Sequence, residues 1–354
     1  MFARPADGDV VHLHEGIPAT PSKSTFVNRR VLPLLALALT TGLVAGAPAS
    51  ARVRAEPEGL EIARVVAPPG ASETVEIAAA EASQRYPWVF PRSAEDRPDE
   101  RTGRQIHVVY LVPLSMPDDR LDQLGLIEDS VRSMNAWMLE QTTDLRWIFD
   151  TYTFEWDDPA TPEADPVAVP AVDVSYVEVD LPNDSINSVS EVEDALVAQG
   201  FDDPNKRYLS YVASNAGGVC GDAWYPTAPA GGDVDGQYAA VYLYSSPGCR
   251  SRDFAPDAST PSFTETIAMQ EMIHNDGQVA LPAPHDCLIS PLAFAHVCTG
   301  PLWATDADPE RFDVMYPYVG LPLSDKQLDA DHLDYFRHPS PYRDLDEGLY
   351  LEPA

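Results

Sequence analysis

The stretch Ala268 to Cys287, AMQEMIHNDGQVALPAPHDC, places an amide, a carboxylate and two imidazoles within a short span. Residues four apart share one face of a helix, so Gln270 and His274 line up with Glu271 beside them. Two metal donors at that spacing, with a glutamate next to the first, hold a divalent metal and supply the base that takes a proton from water. Glu271 and His274 are present here, and Gln270 stands where the first imidazole would be. A neutral amide oxygen is a poorer zinc donor than imidazole, so the pattern predicts a weakened site. A single His on a helix face is ordinarily a satisfied core or surface residue. The weight therefore falls on what accompanies it.

A helix is predicted from Phe263 to Asn275, with Thr264 or Ser262 as cap, Glu265 in the first turn and Gly277 as a left-handed stop. Beyond it lie the triplet Ala283-Pro284-His285, then His296-Val297-Cys298-Thr299, then Asp313-Val314-Met315-Tyr316.

These segments, read in order, resemble the metzincin-type zinc metalloproteases. They are most similar to a group of secreted actinobacterial proteins whose active helix runs HExxHxxGxVxxxAPH. FDTY (149–152), the opening strand and helix, and LDADHLDYF (328–336) are also similar to that group, so the resemblance covers roughly residues 105–338. It implies that Glu271 is the general base, that His274 is a zinc ligand, and that Met315 is the methionine of the turn beneath the metal. A metzincin's third ligand would fall at position 280, which is Ala280 here. His285 is then the implied third ligand, with His296 behind it and Gln270 or His296 completing a weaker site. Some metzincins place a transition-state tyrosine two residues after the methionine; Pro317 holds that position, between Tyr316 and Tyr318.

The rest of the chain must position and deliver these groups. It has 354 residues with 44% hydrophobic side chains, enough for a substantial core. Against 23 Lys and Arg stand 56 Asp and Glu, a net charge of −33, which repels phosphate backbones and argues against nucleic acid as a partner. Clustered carboxylates at Asp306, Asp308, Glu310 and Asp313, or at Asp329, Asp331 and Asp334, suit calcium in type, but in so acidic a chain solvated surface is the simpler reading. Asn28-Arg29-Arg30 precedes the uncharged run Val31 to Gly46 and the small-residue sequence Ala49-Ser50-Ala51, the pattern of an export signal. The run is short of the ~20 apolar residues of a spanning helix, so a secreted product with no stable membrane span is expected. Cys220, Cys249, Cys287 and Cys298 all follow that signal. Two disulfides are expected in an oxidising compartment, with neighbour pairing Cys220–Cys249 and Cys287–Cys298 preferred among three connectivities.

Four segments are assigned: an export signal (1–51), a Pro, Glu and Ala-rich linker or short propeptide (52–103), the catalytic-type domain (104–338) and a C-terminal tail (339–354). Strands are predicted at 106–112, 145–154, 172–181, 207–214 and 239–246, and helices over 121–141, with a core-facing stripe including Met134 and Met138, and over about 190–199. Residues 215–226 read as a Gly-rich loop. The resulting class is α+β, zincin-like, with a mixed twisted sheet, an active-site helix and an irregular C-terminal subdomain. The expected partner is a peptide or protein, met by a monomer. Either the chain hydrolyses peptides with zinc, impaired by Gln270, or it is a pseudoprotease that binds peptides or proteins without cutting them.

Overall fold

A computed structural model describes residues 60–66, 90–156, 165–182, 186–226, 237–277, 296–297, 312–328, 335 and 344–354. His285, Cys287, Cys298, and the carboxylates of 306–310 and 329–334 lie outside those residues.

The architecture is α+β around a six-stranded mixed sheet. Its strands are β1 (Leu60–Val66), β2 (Gln105–Pro113), β6 (Val174–Val179), β7 (Lys206–Val212), β8 (Val219–Pro226) and β9 (Tyr238–Tyr242), in the order β1-β8-β9-β7-β2-β6. The four strands from β9 to β6 are parallel, whereas β8 runs antiparallel to β9 and β1 antiparallel to β8. A parallel strand is buried on both faces and reads as a continuous apolar run. The β2 sequence QIHVVYLVP does so, sending Ile106, Val108, Tyr110 and Val112 into one core and Val109 and Leu111 into another. The first core holds apolar residues of α1 (Leu126–Thr142) and α3 (Phe263–Asp276), and the second those of α2 (Val189–Val197). Met134, Trp137 and Met138 of α1 are core residues. No described helix is long and apolar enough to cross a membrane.

The structure redraws several boundaries. The predicted 145–154 strand divides into β3 (Leu145–Trp147) and β4 (Thr151–Trp156), and the 172–181 strand into β5 (Val167–Val172) and β6. β4 pairs with β5 in a separate ribbon, and at the two breaks Asp150 N–H bonds Ile106 O (2.8 Å) and Asp173 N–H bonds Asp150 O (2.9 Å) while both side chains make ion pairs. The Gly-rich segment 215–226 contains β8 rather than a loop. Glycine lowers strand propensity, but Gly221 is required by packing: a Cβ there would lie 2.6 Å from Ile267 Cγ2 and 2.8 Å from Glu271 Oε1. Ordered structure also extends beyond 104–338. β1 and the stretch from Phe90 fall within the expected linker, and the tail supplies β10 (Leu351–Pro353), which pairs with β3. Arg92 bonds Asp118 and Asp122, and Lys206 bonds Asp96, so charged contacts invisible to a composition count hold the 90–99 stretch down. Cys220 and Cys249 form a disulfide with 5.2 Å between Cα atoms.

Candidate metal centre

Helix α3 begins at Ser262, whose backbone N–H donates to Glu265 Oε2 at 2.7 Å, a reciprocal capping box. It ends at Gly277, with φ 79°, as the left-handed stop required. Every residue of the helix is buried. Its C-terminal end is fixed by Asn275 Nδ2, which donates to Trp224 O (2.7 Å) and Tyr238 O (3.0 Å), and by the buried ion pair of Arg207 with Asp276. These contacts hold the helix across β8 and β9, so that Gly221 faces Glu271.

The face bearing Gln270 and His274 meets the two short segments 296–297 and 313–316. Val297 N–H donates to Met315 O at 2.9 Å, and Met315 N–H to Asp313 Oδ1 at 2.8 Å. Tyr335 Oη donates to the same Asp313 oxygen at 2.5 Å, so Asp313 serves as a buried turn-former. Gln270 Nε2 donates to Val314 O (2.5 Å) and Tyr316 O (2.7 Å), on either side of Met315. Both acceptors are carbonyls, so the amide orientation is chemically forced, and Gln270 Oε1 is left buried with no hydrogen-bond partner among the described residues. His274 Nε2 lies 3.3 Å from His296 Nε2, with ring centroids 4.6 Å apart.

The electrostatics follow from burial without compensation. Neither oxygen of Glu271 has a hydrogen-bond partner among the described residues. Burial, then the nearby Asp222 carboxylate, pushes its pKa well above the ordinary value, and the Val65 backbone amide opposes this. Burial and the facing His296 hold His274 well below the ordinary imidazole value, so it is a neutral nitrogen donor. Asp222 is itself pushed up to about 7 by burial, against hydrogen bonds from Tyr242 Oη (2.6 Å) and Val189 N–H (3.0 Å).

Two facing imidazoles, an amide oxygen with a free lone pair and an unpaired carboxylate are donor types that a divalent metal accepts. Of the residues singled out in the sequence, the fold brings together Gln270, Glu271, His274, His296 and Met315. Two neighbours escaped the sequence reading: Gly221, and Tyr225, whose ring centroid is 6.2 Å from that of His274. Both lie on β8, and the glycines that suggested a loop concealed them.

A second group of metal-ligating side chains, Asp96, His107, Asp150 and Asp173, also converges. Its charges are answered from within. Lys206 Nζ donates to Asp96 (2.6 Å) and Asp150 (2.7 Å), and Arg97 pairs with Asp173. His107 Nδ1 lies 3.0 Å from Asp150 Oδ2 and its Nε2 3.0 Å from Ser175 Oγ, the spacing of a nucleophilic triad. Yet the Ser175 hydroxyl donates to Glu95 O at 3.0 Å, and His107, Asp150, Asp173 and Ser175 are buried with Asp96 half-buried over them, so the array braces the sheet.

Comparison of the chain with family models, with curated proteins and with solved structures gave no match.

Proposed function

We propose that this chain is an exported zinc-metallopeptidase-like protein of metzincin type, with a weakened metal centre. The observation that carries the reading is the convergence of His274 Nε2 and His296 Nε2 to 3.3 Å, beside a carboxylate and an amide oxygen that are both buried without partners. Burying unpaired polar groups costs stability, and sites that bind ligands are where such a cost persists. His274, His296 and Gln270 Oε1 would hold the zinc, with His285 added by the sequence resemblance. Bound zinc would supply Lewis acidity at the scissile carbonyl and to the attacking water. Glu271, with its raised proton affinity, takes the proton from that water and returns it to the leaving amine. The uncharged run 31–46 before Ala49-Ser50-Ala51 supports export.

One observation favours the alternative of a pseudoprotease. Gln270 uses both amide hydrogens to brace the Met315 turn, a structural task that an imidazole, with at most one donor left over when it ligates metal, could not fully take over. Elemental analysis of the purified protein after dialysis decides between them, together with chelator-sensitive cleavage of an unstructured protein substrate. Near one zinc per chain and hydrolysis lowered by about 10²–10⁴ in Glu271→Gln is the expected outcome. Zinc without hydrolysis would leave the binding module, and neither would remove the peptidase reading.

A further inference from the structure

A groove of about 520 Å³ runs between α1, β3 and the β4–β5 ribbon. Its apolar lining includes Val131 and Leu139 of α1, Trp147, Phe149, and Pro170 of β5. Val131, Trp147 and Phe149 belong to the main core, so the floor is in place before any ligand arrives. The charged lining is Arg101, Arg132 and Arg146 against Glu128 and Glu352, three positive groups to two negative. Both carboxylates are already engaged. Glu352 Oε1 accepts from Arg101 Nη1 and from Arg146 Nε, each at 3.0 Å, while its other oxygen takes Arg101 Nη2. Glu128 takes Arg132 Nε on one oxygen (2.6 Å) and the Val172 N–H on the other (2.9 Å). One guanidinium charge is therefore in excess along the groove, in a chain whose net charge is −33. The three arginine side chains are 41%, 50% and 46% exposed, within reach of a ligand.

Gathering like charges costs free energy that an anion recovers, and a guanidinium fork matches a carboxylate with two parallel hydrogen bonds. An apolar body on that anion would cover the floor and gain from its burial. We infer that this groove is a binding site for an amphipathic carboxylate, with the head group among Arg101, Arg132 and Arg146 and an aliphatic chain over Val131, Phe149 and Pro170. A chain fits better than a compact ring. Pro170, Ala171 and Val172 also line a smaller adjoining cavity of about 80 Å³, which reaches Phe90 and Phe154, stacked at 4.1 Å. Apolar surface thus continues along the ribbon beyond the arginines. No residue of α3 lines the groove, so the inference is independent of the peptidase-like reading.

The test is calorimetric titration of the full-length chain, after signal removal, with sodium dodecanoate below its micelle concentration. One saturable site per chain is expected, binding dodecanoate more tightly than dodecyltrimethylammonium, the cation that so acidic a surface attracts non-specifically. Arg132→Gln and Arg146→Gln each leave the affected carboxylate with a partner, the Val172 N–H and Arg101 respectively, so the fold is kept. Each is expected to weaken dodecanoate binding about tenfold. Unchanged affinity in either folded variant, tighter binding of the cation at that site, or no saturable site overturns the inference. If circular dichroism shows a variant to be unfolded, Pro170→Asp decides, because Pro170 is exposed and the substitution sets a carboxylate beside the ligand chain. Binding about tenfold weaker supports the inference, and unchanged binding overturns it. A failure of zinc binding alters none of these readouts.

Discussion

Around His107, Asp150 accepts from an imidazole and from the Lys206 ammonium, while Asp173 meets a guanidinium. Around His274, the Glu271 carboxylate and the Gln270 carbonyl meet no hydrogen-bond donor among the described residues. The two regions draw on the same residue types and similar burial, yet Asp150 and Glu271 move in opposite directions, while Asp173, whose burial outweighs the Arg97 guanidinium, moves up. Burial alone would raise Asp150, but hydrogen bonds from His107 and Lys206 outweigh it and hold its pKa below the usual range. Burial raises Glu271 almost unopposed. Proximity of ligand-type side chains thus does not distinguish a site from a brace; the pairing of their last lone pairs does.

The comparison breaks most visibly if the paired region is made to resemble the unpaired one. Asp150→Ala removes the shared acceptor of His107 and Lys206, and denaturant unfolding is expected to show a loss of about 3–5 kcal/mol. A loss near zero would mean that the network contributes only geometry.

Opposite pH dependence sharpens it. Burial, partly offset by hydrogen bonds, raises Glu265 to about 7, as it does Asp222, from ordinary values of 4.5 and 3.8. A raised folded pKa means that the native state holds its proton more tightly, so this contribution is complete below the ordinary pKa and is lost as pH rises through 7. Asp150 is depressed, so its contribution is present above 3.8 and lost as pH falls through its folded value. Stability in urea should therefore decline from about pH 5 to about pH 8 by a few kcal/mol, and Glu265→Gln should flatten that slope. A stability that rises over the same interval would contradict the uncompensated burial of these acids.

The smallest expected change in stability comes from Gln270→His. It gives up the two amide bonds to Val314 and Tyr316, costing the metal-free protein about 1–3 kcal/mol, while zinc affinity by calorimetry should rise by about 10–100-fold. Unchanged affinity would mean that position 270 faces no metal.

The α3 helix was legible from Ser262, Glu265 and Gly277 because caps and stops are local chemistry. β2 and α1 were legible from their apolar periods, and Cys220–Cys249 from simple nearness in the chain. β8 was not legible, since three glycines argue for a turn until a helix packs against one of them. β1 and the ion pairs of Arg92 and Lys206 were missed for a related reason: their partners lie 26 to 166 residues away in sequence, and composition carries no information about partners.

By itself, the sequence determined that Glu271 and His274 share a helix turn, since spacing and caps act within a few residues. Only the tertiary structure decided that Gln270 braces the Met315 turn, that His296 rather than some other histidine of the described residues faces His274, and that a strand from the expected linker covers Glu271. Those outcomes depend on which distant backbone groups need a donor or a partner strand, and that demand exists only once the sheet is assembled.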